Sequence, residues 1–184
     1  MSAAGAPDTL RLFVAGDIPD TAQREIAAWQ QRALAPDVGL RLNHALHITL
    51  AFLGSVSSNR VAEITDALSG IRFHAAKVEF DEPVFLPARG AKRAVVLPLR
   101  ERDGTLARLQ ADVSEALVAR GLYEPPLRPW LPHLTVARYR RPGHPFSLQN
   151  VNIVGFGVVR MVLYSSLLER AGAVHTPLQV FPAS

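Results

Sequence analysis

Apolar and polar positions along the chain follow two rhythms, one with a period of two and one with a period near 3.6, and the switches between them mark out elements. Leu10 to Ala15 reads as a strand. After the turn around Pro19, Asp20 is placed as the N-cap of a helix with Gln23 three positions on, and Ala22, Ile26, Trp29 and Ala33 share one of its faces. Ala45 to Leu53 (ALHITLAFL) is a second strand, closed by Gly54, and Val61, Ile64, Leu68 and Ile71 recur at helical spacing around Ser58 to Ser69. Strand-like segments follow at Phe73 to Phe80, Pro83 to Leu86 and Arg93 to Leu99. Asp103 then caps a helix that turns Leu106, Leu109, Val113 and Leu117 inward and stops at Gly121. The remaining strands are Leu131 to Tyr139 (LPHLTVARY), Val151 to Val154, Val158 to Ser165 and Leu178 to Phe181. This order is neither all-helical nor a strict alternation of strand and helix, which points to the α+β class.

Two stretches share a layout: a strand from Leu10, a helix from Asp20 and a strand holding His47, then a strand from Arg93, a helix from Asp103 and a strand holding His133. The histidines are 133 − 47 = 86 residues apart and the leading strands 93 − 10 = 83, so the pattern reads as an internal duplication. Residues 1–184 are therefore expected to form one domain of two pseudo-symmetric lobes, each a partly antiparallel sheet covered by helices, with a groove where they meet.

Composition narrows the classes. An apolar fraction of 48% with 20% charged residues excludes an extended disordered chain. Cysteine is absent, which removes disulfides and thiolate nucleophiles and leaves His and carboxylates as the only ligands for zinc. The opening MSAAGAPDTL lacks the features of a secretory signal, and no apolar run approaches the roughly 20 residues of a membrane helix, so a cytoplasmic location is expected. A net charge of +4 and a pI near 10.1 suit a polyanionic partner. The positive charge gathers at Arg89, Lys92 and Arg93 and at Arg128, Arg138, Arg140 and Arg141, although solvated loops and edge strands carry such groups equally well.

The chemistry is carried by the two related strands, which contain His47-Ile48-Thr49-Leu50 and His133-Leu134-Thr135-Val136. On a strand the His and Thr of each tetrapeptide face one side and the apolar residues the other, so each is half polar site and half core. With six His and seven Thr in 184 residues, chance supplies 6 × 7/184, or about 0.23, His-x-Thr triplets. A solitary one is ordinarily a structural pair; two in matching strands at the repeat interval argue for a site.

Two histidines and two hydroxyls suit in-line displacement at phosphorus, one imidazole taking a proton from the attacking oxygen and the other giving one to the leaving oxygen. Histidine serves both roles because its ordinary pKa is near 6.5. Thr49 and Thr135 would hold the non-bridging oxygens, and Arg138, three residues after Thr135, adds charge from the strand end. A metal site is the competing explanation for paired histidines. His44, three residues before His47, faces the opposite side of a strand, and neither motif contains Asp or Glu, so no metal and no cofactor is expected.

On these motifs and their flanks, LRLFVAGDIPD, LHITLAFLGSV, PWLPHLTVARYR and VLYSSLLERAGAVHTPLQVF, the chain resembles the two-histidine (2H) phosphoesterases over nearly its whole length. Within them it resembles the RNA 2',3'-cyclic phosphodiesterases once called 2'-5' RNA ligases. The resemblance implies a bilobal fold with pseudo-twofold symmetry, the His-x-Thr strands facing each other across a cleft, and hydrolysis of a 2',3'-cyclic phosphate to a 2'-phosphate end. It also implies that His47 is the proton donor to the departing O3' and His133 the base that activates water; symmetry alone allows the reverse. Thr49, Thr135 and Arg138 then bind phosphate, and Phe52 stacks on the terminal base. The chain departs from its relatives at RLNHALHITL, where a Pro-Glu-Asn-Leu-like run is common, and at His175, where the closing strand often carries Tyr. His175, His44, His74 and His144 are read as surface or packing residues, and the Ser165–Ser166 pair as a strand end.

The leading function is thus opening of RNA 2',3'-cyclic phosphate termini, tRNA fragments among them, by a monomeric enzyme that also runs the reverse 2'-5' ligation. A second reading keeps the chemistry and changes the substrate to a small cyclic nucleotide or ADP-ribose cyclic phosphate. A third, from another class, is a non-catalytic module that binds RNA or nucleotides; the intact His-Thr pairs speak against it.

Overall fold

The structure, a computed structural model, describes residues 8–34, 39–169 and 172–184. The first seven residues, part of the stretch read as lacking a secretory signal, lie outside the described residues. In chain order the elements are β1 (Thr9–Gly16), α1 (Asp20–Ala33), β2 (Leu40–Leu42), β3 (Ile48–Ser57), α2 (Val61–Ser69), β4 (Ala76–Phe80), β5 (Val84–Leu86), β6 (Lys92–Glu101), α3 (Thr105–Val118), β7 (His133–Gly143), β8 (Phe156–Val158), β9 (Arg160–Glu169) and β10 (Gly172–Pro182). A single 3₁₀ turn, Ser58–Arg60, leads into α2. None of the described helices is long and apolar enough to cross a membrane.

The helices form where the 3.6 period places apolar side chains on one face. α1 buries Ala22, Ile26, Trp29 and Ala33, and α3 buries Leu106, Leu109, Val113 and Leu117. Their starts differ from the expectation. Asp20 is the first helical residue rather than the cap; Pro19 takes the cap position, and Gln23 donates its side-chain amide to the Ile18 carbonyl at 3.0 Å instead of closing a capping box. At α3 the left-handed Gly104 is the cap residue, and Asp103, one position earlier, accepts from Thr105 N at 3.1 Å. The Glu101 carboxylate, arriving from the end of β6, takes the next amides, Leu106 N at 2.6 Å and Ala107 N at 2.8 Å. A carboxylate at that end also suits the helix dipole.

Two strand assignments change. Residues 151–154 alternate apolar and polar, yet they form no ladder: Val151 and Ile153 pack against the core from an irregular segment, and pairing begins only at β8. Gly54 does not close its strand. β3 runs through it with φ +73° in a bulge opposite β1, a conformation that glycine adopts without strain.

The sheet is antiparallel throughout, with the order β10-β9-β1-β3-β7-β6-β4-β8, β2 pairing with β7 and β5 with β6 off this path. The order reads alike from either end toward the centre. In each half a leading strand pairs with a motif strand, β1 with β3 and β6 with β7. Each motif strand is followed by a crossing to the other half, β3 leading through α2 to β4 beside β6, and β7 leading first to β8 beside β4 and then to β9 beside β1. The halves meet at one register pair, Ile48 opposite Leu134, both fully buried. These are the residues directly after the two motif histidines, and antiparallel register then sets each histidine across from the other motif's threonine, so the same contact that joins the halves gathers both His-Thr pairs. The α+β class and the two-half arrangement stand as expected.

Truncation at this seam removes transfer energy and leaves a cavity with little room to relax. Ile48→Ala is expected to cost about 2–5 kcal/mol of unfolding free energy, read from urea denaturation, where an exposed-site substitution costs within about 0.5 kcal/mol.

Candidate active site

Each motif strand carries one extra residue at the same place. β1 opposes β3 as Val14 to Ala51 and then Ala15 to Thr49, skipping Leu50; β6 opposes β7 as Val95 to Ala137 and then Val96 to Thr135, skipping Val136. The bulge residue is the fourth position of both motifs. Strict alternation would turn the sixth residue away from His and Thr, but an extra residue shifts the phase by one. The burial pattern is accordingly the same in both strands: His and Thr half-buried, the second, fourth and fifth residues buried, the sixth exposed. That sixth residue is Phe52 in one half and Arg138 in the other, and both return to the histidine side.

Side chains from across the molecule reach the carbonyls at the bulges, and that of Val136 also accepts from Asn43 N at 2.9 Å. The fully buried Gln30 on α1 donates its amide to Val136 O at 2.7 Å and to Asn43 O at 2.8 Å. Gln110 on α3 donates to the matching carbonyl, Leu50 O, at 3.3 Å. The threonine carbonyls are met the same way: Asn43 Nδ2, four residues before His47, reaches Thr135 O at 2.8 Å, and Trp130 Nε1, three before His133, reaches Thr49 O at 3.0 Å. The approach to each motif therefore braces the other motif.

The result is one cleft of about 330 Å³ in which all the expected site residues converge: His47, Thr49, Phe52, His133, Thr135 and Arg138. Both imidazoles are held alike. Nδ1 of His47 bonds to Ala45 O at 2.9 Å and Nδ1 of His133 to Leu131 O at 2.8 Å, in each case the carbonyl two residues back. A carbonyl only accepts, so Nδ1 carries the hydrogen and Nε2 is left for proton transfer in both rings. Arg11 and Arg138 bring positive charge, and among the described residues no carboxylate lines the cleft, which suits it to an anion. Arg11 lies over the Phe52 ring at 4.6 Å, a cation–π contact that fixes one face of the aromatic.

The two histidines differ in surroundings. His47 packs against Phe13, ring centroids 4.7 Å apart, and against His175 at 5.1 Å. Burial, then the charge of His175, with Arg138 and His133 adding less, lowers the His47 pKa to about 4 despite the opposing bond to Ala45 O. In the empty cleft His47 is neutral near pH 7.

His175, read as a surface or packing residue, packs on β10 against Phe13 at 4.9 Å and Tyr164 at 6.3 Å, and it also lines the cleft. Ser166 also lines the cleft, and the Ser165–Ser166 pair sits inside β9, which runs on to Glu169, so strand termination does not explain it. His44, His74 and His144 are exposed, as expected. Lys92 donates to Pro87 O at 3.0 Å and Ala88 O at 2.7 Å, holding its own hairpin turn. Sequence reasoning missed Asn43, Gln30, Trp130, Phe13 and Arg11. The one legible signal was Asn43, in the run before the first motif. Among the described residues no three His, Asp or Glu side chains group as metal ligands.

Comparison with known proteins gives a consistent match. A family model described as the 2'-5' RNA ligase superfamily matches residues 18–151. A protein of Archaeoglobus fulgidus named RNA 2',3'-cyclic phosphodiesterase is 30% identical over 94% of this chain and 99% of its own length. The protein of that name from Escherichia coli is 28% identical over 92% and 94%. Among solved structures, E. coli LigT complexed with 3'-AMP superposes with a TM-score of 0.82 at 25% identity, covering 96% of this chain and 99% of the other.

Because the folded state lowers the proton affinity of His47, its contribution to stability is full above the ordinary histidine range near 6.5 and is lost as pH falls toward 4. Between pH 7 and 4.5 the wild type should lose about 2 kcal/mol that His47→Gln keeps, measured by urea unfolding at both pH values. Equal losses would show that His47 is not held neutral.

Proposed function

The chain belongs to the 2'-5' RNA ligase superfamily, and on that premise we propose that it opens RNA 2',3'-cyclic phosphate ends to 2'-phosphate ends by acid–base catalysis without a metal, His47 and His133 forming the catalytic pair. The observation that carries this reading is the convergence of both imidazoles, each with Nε2 available, on one cationic cleft. The relatives named RNA 2',3'-cyclic phosphodiesterase and the nucleotide held in the LigT structure support the substrate class.

The cyclic phosphate enters as an anion between the two motif strands. Thr49 and Thr135 offer hydroxyls, and Arg138 a guanidinium, to the non-bridging oxygens, where the charge of the transition state gathers. His133 takes a proton from the attacking water through Nε2, and His47, protonated, gives one to O3' as the P–O3' bond breaks. With the 5'-hydroxyl of a second strand in place of water, the same pair joins ends through a 2'-5' linkage: His133 takes the hydroxyl proton, the oxygen bonds to phosphorus, and His47 again protonates the departing O3'. Phe52, exposed and held by Arg11 on one face, stacks on the terminal base with the other.

The lowered proton affinity of His47 fits the donor role once substrate is included. A neighbouring anion favours the charged imidazole, so the phosphate itself restores the proton that burial, His175 and Arg138 withhold. Binding inorganic phosphate is therefore expected to raise the His47 midpoint well above 4, followed by NMR titration; a midpoint that stays put would exclude His47 as the acid.

An oligonucleotide ending in a cyclic phosphate, incubated with chelator present, should yield only the 2'-phosphate product. His47→Ala and His133→Ala should each lower kcat about 10²- to 10⁴-fold. Phe52→Ala should raise KM about tenfold with little change in kcat. Loss of activity with chelator, or a 3'-phosphate product, would overturn the mechanism. Equal kcat/KM on a cyclic mononucleotide and on the oligonucleotide would favour small cyclic nucleotides as substrates, and no turnover on either would favour the binding module.

A further inference from the structure

His175 stands where the catalytic constellation would not call for a third histidine. Its ring meets His47 edge to face, centroids 5.1 Å apart at 89°. Phe13 is in contact with both, 4.7 Å from His47 and 4.9 Å from His175, so the three rings form one cluster at the wall of the cleft. Nδ1 of His175 is buried with no hydrogen-bond partner among the described residues. A bare lone pair there costs less than a bare N–H, so the neutral ring carries its hydrogen on Nε2. A second proton on His175 would bury an N–H with no acceptor. A proton on both rings would set two cations in contact, with Arg138 and His133 adding charge from β7.

The remaining neighbours do not relieve this. Phe13 on β1 is apolar, and Tyr164 on β9, 6.3 Å from His175, has its hydroxyl pushed up by burial and by Asp17, so it stays protonated. Arg11 is in the same cleft but sits over Phe52. Among the described residues no carboxylate lines the cleft to balance a second imidazolium. The two histidines differ in what they can do with one proton: His47 already has Ala45 O for its Nδ1 hydrogen, and His175 has no such acceptor.

We propose that His175 is a positioning residue that acts through His47: its neutral ring, which has no acceptor for a second proton, fixes the His47 ring and shuts water away from it, so that His47 is charged only when the phosphate anion is bound. The inference rests on the acid role given to His47 above. It makes proton uptake part of substrate capture: the dry wall of Phe13 and His175 disfavours a charge on His47, and the bound anion supplies the opposite charge that lets His47 become an acid.

The test compares wild type with His175→Ala, which removes the ring and admits water beside His47. With ¹⁵N-labelled histidine and the His47 signal assigned by its loss in His47→Gln, the His47 midpoint of the ligand-free protein should rise by roughly one pH unit in His175→Ala. The alkaline limb of kcat, where activity falls as the acid loses its proton, should move to higher pH in the same variant. An unchanged His47 midpoint in a folded His175→Ala overturns the proposal, because a merely structural role would lower stability without moving that titration. Should the alanine variant not fold, His175→Ser is read by the same two outcomes. The titration needs no turnover, so an inactive wild type would remove the functional reading while leaving this result standing.

Discussion

A strand that carries one residue more than its partner must turn a side chain onto the other face and release a carbonyl from the ladder. Most of this site follows from that constraint. The bulges at Leu50 and Val136 bring Phe52 and Arg138 round to the side of His47 and His133, and they leave carbonyls that would be costly to bury alone. Gln30 and Gln110 meet those carbonyls from helices. A buried glutamine on an otherwise apolar helix face is a poor choice for packing and a good one for holding a bulge in place, because an amide hydrogen has a fixed direction and a methyl group does not.

The two halves share geometry and differ in chemistry. At the sixth position of the motif one half places an aromatic ring and the other a guanidinium, the two surfaces that a nucleotide needs at its base and at its phosphate. The histidines share the same tautomer, fixed by the carbonyl two residues back, while only His47 is wedged against Phe13 and His175. Backbone symmetry supplies two like imidazoles on one cationic cleft. The side chains packed around each then set them apart, the difference that the proposed acid–base pair needs.

What could be read from the sequence is what is local. The faces of α1 and α3, the strands of both motifs and the pairing of His with Thr follow from period and repetition, and the structure has each of them. Period two could not place Arg138, which lies three residues beyond Thr135 and by simple alternation faces away; only the bulge, whose partner strand lies about 40 residues upstream in sequence, returns it to the site. The apolar alternation at 151–154 shows the opposite failure, since it records burial correctly and says nothing of whether a neighbouring strand is there to pair. The α1 and α3 caps were each displaced by one residue: a carboxylate from β6 took amides at α3 that a local capping residue would have held, and at α1 Pro19 stands at the cap with its carbonyl accepting from Gln23 N. The place of His175 on the cleft wall was not legible, because a single histidine on a closing strand carries no repeat, and its contact with His47 spans the whole length between them.

The braces also bear on how the site depends on the fold. Asn43, leading into the first motif, holds the Thr135 carbonyl, and Trp130, leading into the second, holds the Thr49 carbonyl. Gln30 bridges both, with one donor on the carbonyl of Asn43 and another on that of Val136. Neither motif has its backbone satisfied until the other is in place. The strand crossings act in the same sense, because β4 completes the half that contains β7 and β9 completes the half that contains β3. A local opening that released either half would therefore unsatisfy polar groups in the other, which raises its cost and couples the two. Acid–base catalysis on one phosphorus atom demands two imidazoles at fixed separation, and this interlocking ties that separation to the cooperativity of the whole sheet rather than to the rigidity of either strand.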